Sequence, residues 1–204
     1  MKSMIKAAVA AIFIVIVFSS CQQVFTSSVY FWAEADMSTM TADQKISYAE
    51  DLLSCGTTAE LAAAFAEIFA LLPDDLSTAD SGLLLLAADL AVGSSGLGAA
   101  ITGALEAVTS GGDLGATLLE AIDTTNLATA VSLIAAAEDN GADLSSEQYT
   151  NAAASQLLVV AETAGGIDNL GSVAADDPGL LQAQTWAEAG GIDIEALLAG
   201  GLPA

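Results

Sequence analysis

Few side chains in this 204-residue chain could do chemistry, and two of them are the thiols of Cys21 and Cys55. A thiol can be alkylated, be oxidised or act as a nucleophile. The other reactive groups are 26 Asp and Glu carboxyls, because the chain has no His and its three basic residues are all Lys. Imidazole catalysis, His-ligated metals and His-based pH switching are therefore excluded.

The surroundings of Cys21 distinguish it from Cys55. Two Lys residues near the N-terminus precede the apolar run 7–18, and Ser19 and Ser20 then lead into the cysteine. This layout resembles a bacterial lipoprotein signal, in which the cysteine is lipidated and becomes the mature N-terminus. The resemblance implies cleavage after residue 20 and palmitate-type acyl chains on Cys21. Phe18 departs from the family pattern, which usually has Leu at that position.

Two other interpretations of the N-terminus stay open: ordinary secretory cleavage with an incidental cysteine, and an uncleaved anchor helix. A membrane span needs about 20 apolar residues, and the run 4–18 is shorter than that. We expect an exported protein of the bacterial cell envelope, tethered by lipid with its body in water, facing the periplasm or the surface. Gln22, directly after the cysteine, favours the outer over the inner membrane.

Beyond Cys21 the chain is strongly acidic. All 26 acidic residues lie there with Lys45 as the one basic residue, so the cleaved chain would carry a formal net charge of −25. Nucleic acid is excluded as a partner because phosphate backbones are bound by Lys and Arg, and anionic lipid surfaces would repel the body. We favour a solvated acidic surface, which resembles that of proteins from saline habitats. A surface for cations or for a basic partner is the alternative.

No residue pattern predicts a catalytic or metal site. The densest acidic pairs, Asp74-Asp75 and Asp176-Asp177, lack the spaced loop with a central Gly of calcium hands. We therefore expect them to cap helices. Cys55 has no His or Lys beside it in the sequence, which predicts a buried, inert thiol. The sequence predicts no catalytic residue, no cofactor, no metal and no enzymatic activity.

The chain divides into a signal peptide (1–20), a lipid anchor and tether (21–40), and an all-helical domain (41–204). The tether interleaves polar and aromatic residues; we prefer docking of the aromatic residues on the body, and the membrane interface is the alternative. Ala, Leu and Glu dominate the domain, and Gly-rich joints separate its helices. The predicted helices span 41–54, 57–72, 78–92, 97–109, 113–122, 125–138, 145–164, 167–175, 178–189 and 192–198.

Three features refine this helical prediction. The run Leu83–Ala88 is apolar on all sides, which predicts a central, buried helix. Gly96, Gly98 and Gly103 lie in or beside the following helix and suggest close approach to a neighbour. The Gly-Gly steps at 165–166 and 190–191 are predicted to end helices rather than to bind phosphate, because no Lys follows either of them.

Helix pairs that start near Thr41, Thr78, Asp113 and Ser145 recur about every 35 residues, a period typical of stacked helix-pair arrays. We predict an all-α fold of stacked antiparallel helix hairpins, either a solenoid or a compact helical-repeat bundle. A generic all-helical domain with Ala-rich packing is the alternative.

Gly56 stands at a predicted turn between two helices, Phe65 lies within the second of them, and Pro73 closes it. In these three positions and in its length, the segment 56–73 resembles the second half of a tetratricopeptide repeat. The likeness departs from the family at Leu61 and Ile68, where small residues are usual. The resemblance implies a protein-binding surface formed by one helix of each pair.

A looser likeness concerns Leu83–Ala88, which is similar to a helix of the helical lipoprotein component associated with tripartite periplasmic (TRAP) transporters. Together the two resemblances and the lipid anchor predict a membrane-anchored binding scaffold for another envelope protein. The alternative is a periplasmic, transporter-associated carrier of a small apolar or cationic ligand. Four aromatic residues could line its pocket, although we prefer core packing as the explanation for all of them: Phe65, Phe69, Tyr149 and Trp186. A purely structural envelope protein is a third interpretation.

Overall fold

A computed structural model describes residues 36–100, 103 and 114–192, and this part of the chain contains helices and turns but no strand. The predicted all-α fold is confirmed. We number the α-helices in chain order as α1 (Ala42–Cys55), α2 (Thr58–Phe69), α3 (Ser81–Ser94), α4 (Leu114–Glu120), α5 (Thr124–Asp139), α6 (Ser146–Thr163) and α7 (Pro178–Ala189). Residues 97–100 are also helical, and 3-10 helices are formed by Met37–Thr39, Leu76–Thr78 and Ile167–Ser172.

Side-chain caps begin the helices. The side chains of Thr41, Thr57 and Ser145 each accept a hydrogen bond from the backbone N–H of the residue three positions later. That later residue is Gln or Glu, and its side chain accepts a hydrogen bond from the backbone N–H of the capping residue. Each such capping box satisfies two backbone donors that a helix start leaves unpaired. Asp177 caps α7, and Pro178 occupies its first turn as the sequence predicts.

Left-handed glycines end α5, α6 and α7. Gly141, Gly165 and Gly191 have φ of 84°, 78° and 82°, a conformation that other residues rarely adopt. Both Gly-Gly steps therefore end helices, as predicted. The two steps place the left-handed glycine differently: it is the first glycine of the pair at 165–166 and the second glycine of the pair at 190–191.

Most predicted helix bounds agree with the structure to within about three residues, which is the usual uncertainty of helix ends. One segment differs in type: the predicted helix 167–175 is the 3-10 helix Ile167–Ser172. The predicted helix 192–198 lies almost entirely outside the described residues, as does most of 101–109.

Packing follows the order of the helices along the chain except at α4. α3 packs against α2 and α5, α1 contacts α2 and α3, and α6 packs against α5 and α7, whereas α4 contacts the 3-10 helix Ile167–Ser172. The predicted central position of Leu83–Ala88 is confirmed, because Leu84, Ala87 and Ala88 are fully buried. A fully buried leucine contributes about 1.5–3 kcal/mol through removal of its side chain from water. The helices therefore form a stacked array around α3.

A 3-10 turn with the same side-chain hydrogen bonds precedes both α1 and α3. The Asp36 carboxylate accepts from the N–H and hydroxyl of Ser38 at 3.0 and 2.6 Å, and the Thr39 hydroxyl donates to the Asp36 carbonyl at 2.9 Å. These bonds recur 39 residues later, at 3.1, 2.7 and 2.8 Å, in Asp75, Ser77 and Thr78.

The helices that follow these two turns keep the same spacing. α1 and α3 have 14 residues each, and the next helical segments start at 58 and 97, which are again 39 residues apart. The first two units therefore repeat with a longer period than the predicted value near 35. Thr78 lies within the second turn, and α3 begins only after the Asp80 cap.

Of the three glycines predicted to allow close approach, Gly96 does lie close to a neighbour: a Cβ there would be 3.3 Å from the carbonyl oxygen of Ala121, and its φ is 78°. At Gly98 and Gly103 a Cβ would meet no neighbouring atom within 4 Å. At Gly190, by contrast, a Cβ would lie 2.8 Å from the hydroxyl oxygen of Thr150. The end of α7 therefore lies against the first turns of α6.

One stretch in the described part of the chain, Ser81–Ala100, is long and apolar enough to cross a membrane. Within its most apolar window, 56% of the residues are buried inside the body. Core helices of water-soluble domains meet the same criteria.

Candidate functional site

Three helices meet at the carboxylate of Glu138 near the end of α5. Its Oε2 accepts a hydrogen bond of 2.9 Å from the indole N–H of Trp186 on α7, and its Oε1 accepts one of 3.3 Å from the Tyr149 hydroxyl on α6. Trp186 is fully buried, so its N–H depends on this acceptor. We call these three residues the Glu138 junction.

The ionisation of Tyr149 is suppressed at the junction. Partial desolvation raises the pKa of its phenol, and the negative charges of Glu138 and Asp143 raise it further. A phenol that keeps its proton remains a hydrogen-bond donor across the physiological range. The junction therefore keeps both of its donors at neutral pH.

Asp89 is the second unusual carboxyl in this region. It lies on α3, where burial raises its pKa to about 6 and the nearby charge of Glu147 contributes in the same direction. A carboxyl in this range changes its charge between mildly acidic and neutral pH. Asp89 therefore carries a charge at neutral pH within the central helix of the array.

The chemistry available to these groups is limited by their partners. Both oxygens of Glu138 already accept hydrogen bonds from Tyr149 and Trp186. No group of three or more His, Cys, Asp or Glu residues in the described ranges could hold a metal ion. The junction thus ties three helices together, and Asp89 adds one titratable charge beside them.

Other acidic residues are used at helix starts. Hydrogen bonds from the side chain and backbone of Ser77 lower the pKa of Asp75, and Asp177 accepts from the N–H of Leu180 at 3.0 Å. These contacts confirm the capping prediction for the second residue of each acidic pair. Such carboxylates stabilise helix N-termini through direct hydrogen bonds and through the helix dipole.

The two cysteines have different outcomes. Cys21, the predicted lipidation site, lies outside the described residues. Cys55 is a free cysteine and is exposed, so the prediction of a buried thiol is wrong. It is the last residue of α1, where the chain turns away through Gly56, and its thiol donates to the Asp51 carbonyl at 3.5 Å.

The four aromatic residues proposed for a pocket form two pairs. Phe65 and Phe69 lie on α2 with their ring centroids 5.4 Å apart and their planes tilted by 52°, whereas Tyr149 and Trp186 share Glu138. Phe69 is 43% exposed and Trp186 is fully buried. Core packing and polar tethering account for the second pair.

The Glu138 junction was not predicted from the sequence. Glu138 and Trp186 are 48 residues apart in the sequence, and no local sequence pattern connects them. One signal was present, because a tryptophan within an Ala-rich helix needs an acceptor for its N–H when it is buried. That signal predicts the existence of an acceptor but not its identity.

Comparison with known proteins gives no relative. No protein-family model matches the chain, and no curated protein or solved structure matches it.

Proposed function

We propose that this protein is an exported lipoprotein of a bacterial cell envelope, with a helical body that serves as a binding scaffold for another envelope protein. The observation that carries the proposal is the position of Cys21. It ends a basic and apolar N-terminal run and precedes a body in which Met37 is the first buried side chain among the described residues. A lipidated cysteine at that point would hold the body beside a membrane, and the outer membrane is favoured by Gln22.

The chain between anchor and body limits how far the body can lie from the lipid. Residues 22–35 separate Cys21 from Asp36, the first described residue. A fully extended chain spans 3.3–3.6 Å per residue, so this segment can cover at most about 50 Å. A partner would therefore lie within the envelope and close to the same membrane.

The scaffold role is supported by how the body uses its polar groups. Glu138 ties helices together, and Asp36, Asp75 and Asp177 serve as caps. The helices stack side by side, with α3 against α2 and α5, and α6 against α5 and α7. Such a stack gives a surface on which a partner can lie. With Lys45 as the one basic residue after Cys21, charge complementarity favours a partner with a basic surface.

Lipidation is tested by mass spectrometry of the mature N-terminus. We expect a chain that begins at Cys21 and carries acyl groups, and we expect the Cys21→Ala variant to lose both the acyl mass and membrane association. Cleavage at another bond, with an unmodified Cys21, would refute the anchor.

Partner binding needs a cross-linker that does not rely on amines. Lys45 is the one side-chain amine beyond Cys21, and it is paired with Glu67. Photoreactive amino acids at the exposed positions Leu53 and Leu181 would sample α1 and α7 in living cells. We expect a specific protein adduct from at least one position. Adducts with neither position, together with a small molecule that co-purifies with the body, would favour the carrier alternative.

A further inference from the structure

We infer that the aromatic segment Val29–Trp32 of this chain packs against the exposed end of α2 at Phe69. The docked segment and its docking surface belong to the same chain, and docking does not depend on lipidation.

The entry point is fixed by Met37. Its side chain is 7% exposed within the main core, and the 3-10 helix that contains it contacts α2. Lys45 in the first turns of α1 pairs with Glu67 in the last turn of α2. The start of α1 therefore lies beside the end of α2, and the chain that leads into α1 enters at that end.

An apolar surface is exposed at the same end of α2. Phe69 is its last residue and is 43% exposed, while Phe65 lies one turn earlier, is half-buried and contacts the Phe69 ring. In the described residues, the other large apolar side chains with this degree of exposure are Leu53 and Leu181. Phe69 is the aromatic member of this group and the one on α2, the helix that the 3-10 helix at the chain entry contacts.

The preceding residues match this surface in chemistry and in reach. Val29, Tyr30, Phe31 and Trp32 are consecutive, and Trp32 stands four positions before Asp36. Four residues can span about 14 Å and seven about 25 Å, whereas α2, with 12 residues, is about 18 Å long. The segment can therefore reach Phe69 without any movement of the body.

The segment of the same chain is favoured over other occupants of the Phe69 surface because it is covalently joined to the body close to that surface. A segment joined to its site by a few residues has an effective concentration in the millimolar range, which a second copy or a separate partner rarely reaches. Each aromatic side chain taken out of water contributes favourable free energy, and tilted ring pairs add to it. Docking would thus take apolar surface of the segment out of water and cover Phe69.

Docking has a consequence that rests on the proposed lipid anchor. If residues 29–35 lie on the body, the free leash from Cys21 is limited to 22–28, which spans at most about 25 Å. The end of the array that carries Phe69 and Lys45 would then face the membrane. The opposite end, near α7, would face away from it and remain accessible to a partner.

The experiment uses limiting chymotrypsin on the full chain and reads cleavage after Tyr30, Phe31 and Trp32 by mass. Cleavage at these bonds requires the segment to leave the body, so its rate follows the population of the undocked state. We expect Phe69→Ser to increase the rate about tenfold, because the variant replaces the apolar surface with a polar one. Leu181→Ser is the matched control and should leave the rate unchanged, and the bond after Phe25 is an internal reference.

Equal rates in the parent chain, Phe69→Ser and Leu181→Ser would overturn the inference, whether those rates are fast or slow. A photoreactive benzophenone side chain at position 69 gives a second measurement that keeps the aromatic character of the site. We expect a cross-link to the peptide that contains residues 29–32, and none from the same group at position 181. Cross-links from position 69 only to lipid, to a second copy or to another protein would also overturn the inference. Because both readouts are intramolecular, they are independent of whether Cys21 is acylated.

Discussion

The indole N–H of Trp186 donates to the carboxylate of Glu138 at 2.9 Å and joins α7 to α5 across α6. The Tyr149 hydroxyl donates to the other oxygen of the same carboxylate. Most of the core consists of Ala and Leu side chains, which pack without directional preference. The Glu138 junction therefore supplies a directional contact that fixes how α5, α6 and α7 lie relative to one another.

Glu138→Ala should destabilise the body through this junction. The substitution leaves the buried N–H of Trp186 without its acceptor, which costs about 2 kcal/mol. The free energy of unfolding from chemical denaturation, followed by tryptophan fluorescence, measures the effect. Asp139→Ala, on the exposed neighbouring residue, should change the same quantity by less than about 0.5 kcal/mol. Equal effects of the two variants would contradict a stabilising role for the junction.

Asp89 should make stability fall as pH rises from about 4 to 6. Its pKa is raised to about 6 in the folded state, so the folded state holds this proton more tightly than the unfolded state does. The associated stability is fully present below the unfolded pKa and is lost as pH rises through the folded pKa. Asp89→Asn should therefore add about 1–3 kcal/mol at pH 7.5 and little at pH 4.

The comparison of unfolding free energy between parent and Asp89→Asn across pH 4–8 tests this assignment. Asp75 should have the opposite effect on the pH dependence of stability. Because its pKa is lowered in the folded state, the stability it contributes is present at neutral pH and lost as pH falls through the folded pKa. Asp75→Asn should therefore lower the free energy of unfolding at neutral pH, and its difference from the parent should shrink as pH falls. Parallel pH profiles for the parent and Asp89→Asn would show that Asp89 does not titrate abnormally.

Gly190→Ala should be destabilising by about 1–3 kcal/mol, because the new methyl group overpacks the contact between α7 and α6. A Cβ there would lie 2.8 Å from the Thr150 hydroxyl oxygen and 3.2 Å from the Ser146 carbonyl oxygen. Gly98→Ala is the matched control, since that position is helical, exposed and open around its Cα. It should gain about 0.5–1 kcal/mol from helix propensity. Thermal melts of both variants decide whether the signs differ as stated.

Salt should raise the melting temperature. The chain carries a formal net charge of −23, and Lys45 with Glu67 is the ion pair found in the described residues. Repulsion between unpaired carboxylates weakens as the screening length falls from about 30 Å at 0.01 M to 3 Å at 1 M. Melting curves in sodium chloride over that range should shift upward. A melting temperature indifferent to salt would mean that the acidic groups are too widely spaced to repel one another.

Local hydrogen bonds explain why the helix boundaries could be predicted. Thr41 and Gln44 satisfy each other's backbone groups within four residues, and Gly165 needs only its own left-handed conformation to stop α6. Both signals are complete within one turn of chain. The apolar run on α3 likewise predicts burial without any knowledge of the neighbours.

Features that depend on contacts far apart in sequence were missed or mistaken. The sequence around Glu138 contains nothing that points to Trp186, because their contact exists only after α5, α6 and α7 have stacked. Cys55 was expected to be buried from its residue type, yet its place at the last position of α1 leaves it at the edge of the body. Lipidation of Cys21 stays a prediction from the sequence.

The turn shared by Asp36 and Asp75 has a consequence for how such a protein can evolve. Each turn closes its own hydrogen bonds within four residues, and the two turns lie 39 residues apart. An in-frame duplication or deletion between two equivalent turns would therefore leave no unfinished helix start on either side. The array can change in length by whole units, with selection acting on the number of units as well as on individual residues.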